Sequence, residues 1–195
     1  MKVLTDGEIS DAYAHVEAVN EGRVGADRAN YLALTDADFE LLLYSIYLEN
    51  ASEVPWYSKA RLMITGADQG RDVWLTKDER PVGLIQCKKV KAGFTQPDTL
   101  REVVKFLLNA VLDPALMPDP TDFRFILALA SDPAGTTTDF FDAPQTWLAG
   151  NEPELADLVS YVIKKYEAFS TLKVEAVMPG INTALKNLRY ELLRP

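Results

Sequence analysis

The sequence predicts an α/β layered fold, and three observations carry that prediction. Residues 36–49 form an apolar, capped helical segment. Residues 60–90 hold three short β-like runs divided by glycine-bearing or charged turns. A second helical pattern then leads into Phe123–Ala130, a continuous apolar run of the length of a buried strand. Helix, three strands, helix, strand, helix is the order expected of helices layered on a sheet.

Each element has a local reason. Residues 7–20 place Ile9, Tyr13, Val16 and Val19 at helical spacing, and Gly22 and Gly25 end the pattern. Thr35 to Asp38 resembles a capping box with Asp in place of Glu. Phe39, Leu42, Leu43, Ile46 and Tyr47 follow it on an i, i+3, i+4, i+7, i+8 stripe. Residues 60–65 read as a strand and residues 66–71 as a loop with two glycines. Asp72–Thr76 and Val82–Val90 then make a hairpin about the polar turn 77–81. Thr99–Leu112 is helical through Val103, Val104, Leu107, Leu108 and Val111. Residues 131–138, with Thr136, Thr137 and Thr138, read as a polar loop after the buried strand. Glu154–Leu172 is a helix, Pro179-Gly180 a break and Ile181–Leu193 a last helical stretch. That stretch runs to Arg194-Pro195 without a polar tail. It fits either a leading domain of a longer chain or an end docked on the core.

The chain has 195 residues, 48% hydrophobic and 25% charged, which suits one folded domain with appendages. The longest apolar stretches fall well short of the roughly 18 residues of a membrane span. The acidic start MKVLTDGEIS lacks the apolar core of a signal peptide, so a cytoplasmic protein with no membrane partner is expected. A single cysteine, Cys87, excludes a disulfide framework and a multi-cysteine zinc site. A single histidine, His15, excludes His-rich metal sites and a Ser-His-Asp set. A net charge of −9 argues against a protein that coats nucleic acid by charge alone. The charge is nevertheless partitioned: residues 56–91 carry +4 and the remainder −13.

The hairpin carries the chemistry. With the turn symmetric about Glu79, Trp74 opposes Leu84 and Asp72 opposes Gln86. Lys88 shares their face two residues on. A carboxylate, a carboxamide and an ammonium thus meet at one end of two strands. The two oxygens suit a hard cation such as Mg²⁺, and the lysine suits a water or a phosphoryl oxygen. The plain alternative is a surface ion pair of little energetic weight. Leu84, Ile85 and Cys87 in the same strand argue for a partly desolvated pair instead. Cys87 and Trp74 read as core residues. Glu40, one position off its helix stripe, reads equally as a boundary carboxylate or a functional one.

Phe39-Glu40 on a helix, Gly-Ala-Asp-Gln-Gly-Arg-Asp at 66–72 and Leu-Ile-Gln-Cys-Lys-Lys at 84–89 together resemble the Mrr-like branch of the PD-(D/E)XK nuclease superfamily. The resemblance covers roughly residues 30–145. It implies a restriction endonuclease-like three-layer core, with a mixed central sheet flanked by helices. The division would be an N-terminal helical extension over 1–30, a nuclease core over 31–150 and C-terminal helices over 151–195. These last helices could lead into a further domain. Carried over residue by residue, it implies that Asp72 is the metal-binding carboxylate, Gln86 the second ligand or the holder of a metal-bound water, Glu40 a further metal ligand or a carboxylate just behind the ligands, and Lys88 the catalytic lysine, with Asp68 shaping the loop. The superfamily commonly has Glu where this chain has Gln86, which lowers the expected metal affinity.

The expected activity is Mg²⁺-dependent hydrolysis of double-stranded DNA, with Mn²⁺ substituting, leaving 5′-phosphate and 3′-hydroxyl ends. The resemblance points to an effector of a prokaryotic anti-phage or restriction system, activated as a homo-oligomer or by a fused sensor domain. Two alternatives stand beside it. One is a catalytically weak nuclease-like fold acting as a nucleic-acid-binding or scaffold module. The other is an RNA-directed nuclease.

Overall fold

The computed structural model describes residues 4–5, 7–11, 31–63, 69–91 and 93–194. Five strands form one mixed sheet in sequence order: β1 (Lys59–Leu62), β2 (Val73–Lys77), β3 (Arg80–Lys88), β4 (Arg124–Leu129) and β5 (Arg189–Leu193). β1, β2 and β3 are antiparallel neighbours, whereas β3, β4 and β5 run parallel. The first parallel connection passes through α2 (Gln96–Leu112). The second passes through α3 (Gly135–Asp142), α4 (Pro144–Gly150), α5 (Glu152–Lys165) and α6 (Val174–Asn187). Parallel strands need such long crossovers, and a sheet so covered buries its middle strands on both faces. Phe125 through Leu129 of β4 are accordingly all buried.

The two faces hold two separate cores. On one, Val73, Leu75, Ile85, Cys87 and Ile126 pack against Phe39, Leu43 and Tyr44 of α1 (Asp36–Glu49). On the other, Trp74, Leu84, Phe125 and Leu127 meet Val103, Phe106 and Leu107 of α2. Leu155, Val159 and Val162 of α5, with Ile181 and Leu185 of α6, complete that second core. The helices after residue 150 therefore share a core with the strands before it.

α1 starts where the sequence places it. Thr35 Oγ1 accepts from the Asp38 N–H at 3.1 Å, and Asp38 Oδ2 accepts from the Thr35 N–H at 3.1 Å. Asp thus closes the box as Glu does. The buried face differs from the expected stripe: Leu41 and Tyr44 are buried, while Ile46 is 43% exposed. FELLLYSIYL is apolar on nearly every face, so its periodicity selects none.

Four further expectations are corrected. The hairpin turn is centred between Asp78 and Glu79, both with positive φ (50° and 61°), a two-residue turn rather than one symmetric about Glu79. Thr76 pairs with Pro81 but Leu75 with Gly83, so Val82 is an extra residue bulged out of register. The bulge restores the pairing of Trp74 with Leu84 that the symmetric turn implied. Residues 135–138 are helical rather than loop, and the buried Thr137 hydroxyl donates to the Phe94 carbonyl at 2.6 Å. Pro179 and Gly180 lie inside α6 and do not break it. The last stretch is strand from Arg189, where pairing with β4 overrides the helical preference of its Leu and Glu residues. Of the early helix, residues 7–11 are helical; His15, Gly66 and Asp68 lie outside the described residues.

Candidate functional site

Asp72 enters β2 from the preceding loop and is fixed by backbone bonds on both sides. Its N–H donates to the Ile85 carbonyl at 3.0 Å, and its carbonyl accepts from the Met63 N–H at 2.9 Å. Strand alternation then puts its side chain on the α2 side of the sheet with Trp74. There Oδ2 accepts from Gln86 Nε2 at 2.8 Å and from the Cys87 N–H at 2.6 Å. Asp72 is only 7% exposed and Gln86 only 4%. A carboxylate only accepts, so the amide nitrogen of Gln86 must face Asp72 and its oxygen must turn away. That oxygen is buried and has no hydrogen-bond partner. An orphaned buried acceptor beside a carboxylate is costly in a folded protein, and a cation or an ordered water is the ordinary remedy.

Asp72 and Gln86 open onto a cavity of about 280 Å³ at the end of the hairpin away from its turn. Glu40 of α1 lines it from one face of the sheet, Lys105 of α2 from the other, with Lys88 and Lys89 at the end of β3. The structure therefore brings Asp72, Gln86, Lys88 and Glu40 around one space. Glu40 reaches it from α1, which packs against β1, β2 and β3. Burial, and then the charges of Asp72 and Glu40, push the Cys87 thiol well above its usual range. That cysteine belongs to the core facing α1.

Two further residues near the site, Glu102 and Lys105, escape a reading of the motifs, and Lys89 of the quoted run joins them without a role read from it. Glu102 of α2 lies 3.2 Å from Lys88 Nζ, the two side chains being 15% and 26% exposed. Lys105 is one helical turn from Arg101, on the same helix as Glu102. Lys89 donates to the Leu34 carbonyl at 2.9 Å and sits 3.6 Å from Asp36. An acid and a lysine on the helix after the hairpin were the available sequence signal.

The +4 carried by residues 56–91 is not gathered around the site. Lys59 and Arg61 both pair with Glu79 at the turn. The Lys59 hydrogen bond, then that of Arg61, hold this exposed carboxyl below its usual range. Lys77 donates to the Pro55 carbonyl. At about 3.3 Å per strand residue, this end lies roughly 17 Å from Asp72. Lys88, Lys89 and Lys105 are the cations that line the cavity.

Asp72, Glu40 and the Gln86 carboxamide fit a hard divalent cation. Among the described residues no group of three or more His, Cys, Asp or Glu converges, so any ion here would rest on two carboxylates and the carboxamide. Mg²⁺ characteristically takes one or two carboxylates and keeps several waters, which suits this sparse donor set. A larger cavity of about 420 Å³ lies between α1 and β5, lined largely by apolar and aromatic side chains such as Phe39, Tyr47 and Trp56. Its titratable lining groups are Glu191, Arg194, Tyr31, Tyr47 and Tyr57. Comparison with family models, with curated proteins and with solved structures finds no match to this chain. No helix among the described residues is long and apolar enough to cross a membrane.

Proposed function

We propose that this chain is a Mg²⁺-dependent endonuclease domain of restriction endonuclease-like fold that cuts double-stranded DNA. One observation carries the reading: Asp72, Gln86, Glu40 and Lys88 line a single cavity beside an orphaned carboxamide oxygen. The resemblance of these residues to the Mrr-like pattern adds to it. Asp72, Gln86 and Glu40 would hold the ion. What a divalent cation supplies in such a place is polarisation of a phosphoryl oxygen and acidification of a water.

The chain's own groups do the rest. Gln86 Nε2 and the Cys87 N–H fix Oδ2 of Asp72, so the carboxylate is oriented before any ligand arrives. Lys88 holds an ammonium at the cavity and is kept there by Glu102. From that position it can donate to the attacking water or to a phosphoryl oxygen. Lys89 and Lys105 add positive charge where the phosphate would enter. One site cuts one strand, so a double-strand break requires two copies or a partner domain. A cytoplasmic effector of anti-phage defence or restriction, activated by self-assembly or a sensor domain, is the setting that suits this chemistry.

The saturation of Asp72 Oδ2 by two donors favours a second reading, a nuclease-like nucleic-acid-binding module that does not cut. Plasmid cleavage separates the two. The assembled protein is assayed with Mg²⁺ or Mn²⁺ beside Asp72→Ala and Lys88→Ala. Metal-dependent nicking by wild type and its loss in both variants is expected. No cleavage by any assembled form would leave the binding module; equal cleavage by all three would overturn the site.

A further inference from the structure

Two tyrosines and three cations form a continuous track leading away from the cavity. Lys105 lines the cavity, and its Nζ lies 5.7 Å from the centre of the Tyr166 ring. Lys165 Nζ lies 5.5 Å from that ring and 5.5 Å from the ring of Tyr161. Arg101 reaches the Tyr161 ring at 5.6 Å. Separations under about 6 Å are those of cation–π contacts. The arrangement follows from helix geometry: Arg101 and Lys105 are four apart on α2, and Tyr161 and Lys165 four apart on α5. Tyr161 is 48% exposed. Asp98 shares the Arg101 guanidinium at 3.0 Å. Neither Lys105 nor Lys165 has an ion-pair partner among the described residues.

We infer that this track binds the phosphodiester backbone of a DNA duplex and leads one strand to the cavity. The inference rests on the nuclease reading and adds to it the path of the substrate. The chain as a whole repels a polyanion, so binding needs local cations without ion-pair partners; Lys105 and Lys165 supply them, whereas Arg101 is shared with Asp98, and Glu154 and Asp157 line a further cavity together with Tyr161. The rings hold two flexible lysines in a row, which lowers the entropy lost when phosphates engage them. The other basic cluster, at the hairpin turn, is engaged with Glu79 and offers no such row.

The test is binding of a fluorescent duplex by the full chain, in EDTA to prevent cleavage, across a range of salt. Neutralising two phosphate contacts removes about 1.8 from the slope of log affinity against log salt. Lys105→Gln/Lys165→Gln is therefore expected to lose that slope and about tenfold in affinity at low salt. Tyr161→Leu, which keeps all three cations, should weaken binding several-fold. Lys77→Gln/Arg80→Gln at the turn should change neither. Equal losses in the track and turn variants, or an unchanged slope in the track variant of a protein that still cleaves, would overturn the track alone. Failure of wild type to bind any nucleic acid would overturn the track and the nuclease reading together.

Discussion

Replacing Gln86 with Glu sets the structure's geometry against its chemistry. Gln86 Nε2 lies 2.8 Å from Asp72 Oδ2, and both residues are buried. Gln86→Glu exchanges a donor for a second carboxylate at that distance. Two charges 2.8 Å apart repel by about 6 kcal/mol at an effective dielectric of 20. The pair avoids most of this by keeping one proton, which raises its shared pKa above the ~4.3 of an unfolded Glu. Each unit of that rise costs about 1.4 kcal/mol once the unfolded chain has lost the proton. A folded pKa raised in this way gives stability below the unfolded value and loses it as pH rises. The variant should therefore lie within about 1 kcal/mol of wild type near pH 5 and fall roughly 3–5 kcal/mol below it near pH 8. That is a large part of the total stability of an ordinary domain.

Mg²⁺ should recover part of the deficit, because a second carboxylate strengthens a hard-cation site. At 100 times its dissociation constant, the ion returns about 2.7 kcal/mol. Urea unfolding at the two pH values, with and without Mg²⁺, reads both effects. A variant as stable as wild type at pH 8 without metal would refute the Asp72–Gln86 contact. A pH-dependent deficit that Mg²⁺ leaves untouched would refute the cation site while leaving the contact intact.

Other expectations concern the neighbouring groups. Glu102→Gln should remain folded with a loss of about 1–3 kcal/mol, because it leaves Lys88 half-buried without its counter-charge; urea midpoints measure this, and no change would dismiss the pair. The Thr95 hydrogen bonds, and then Arg101, hold the Asp98 carboxyl below its usual range. Its stabilising effect is present above the unfolded value of about 3.9 and fades as pH falls through the folded one. Asp98→Ala should thus cost about 1 kcal/mol near pH 7 through loss of the helix cap, with the gap to wild type narrowing near pH 3. Cys87 is buried with its thiol pushed up, so a thiol reagent should label it only under denaturing conditions; rapid labelling of native protein would contradict its place in the core.

What the sequence makes legible depends on where each element's determinants lie. The α1 cap is local, four residues long, and reads directly from Thr35 and Asp38. The hairpin register reads correctly near Asp72 for an instructive reason. The two-residue turn at Asp78-Glu79 shifts the pairing by one, and the bulge at Val82 shifts it back. Trp74 and Leu84 are therefore opposed although the turn between them differs from the one assumed.

β5 escapes because Arg189-Tyr190-Glu191-Leu192-Leu193 suits a helix by composition and becomes a strand only by pairing with β4, more than sixty residues away in sequence. Pro179 misleads for the opposite reason, since the packing of Val177, Ile181 and Leu185 carries α6 past it. Glu102 and Lys105 are invisible to motif reading because their place at the cavity depends on how α2 lies across the sheet. No spacing along the chain encodes that.

The proposed divalent-cation site of Asp72, Glu40 and Gln86 has one decisive test. Anomalous diffraction from crystals soaked in Mn²⁺ addresses it directly. A peak is expected in the 280 Å³ cavity, at about 2.1 Å from a carboxylate oxygen of Asp72, and it should vanish in Asp72→Ala. An empty cavity in crystals that hold Mn²⁺ elsewhere, or a peak that survives the substitution, would contradict it.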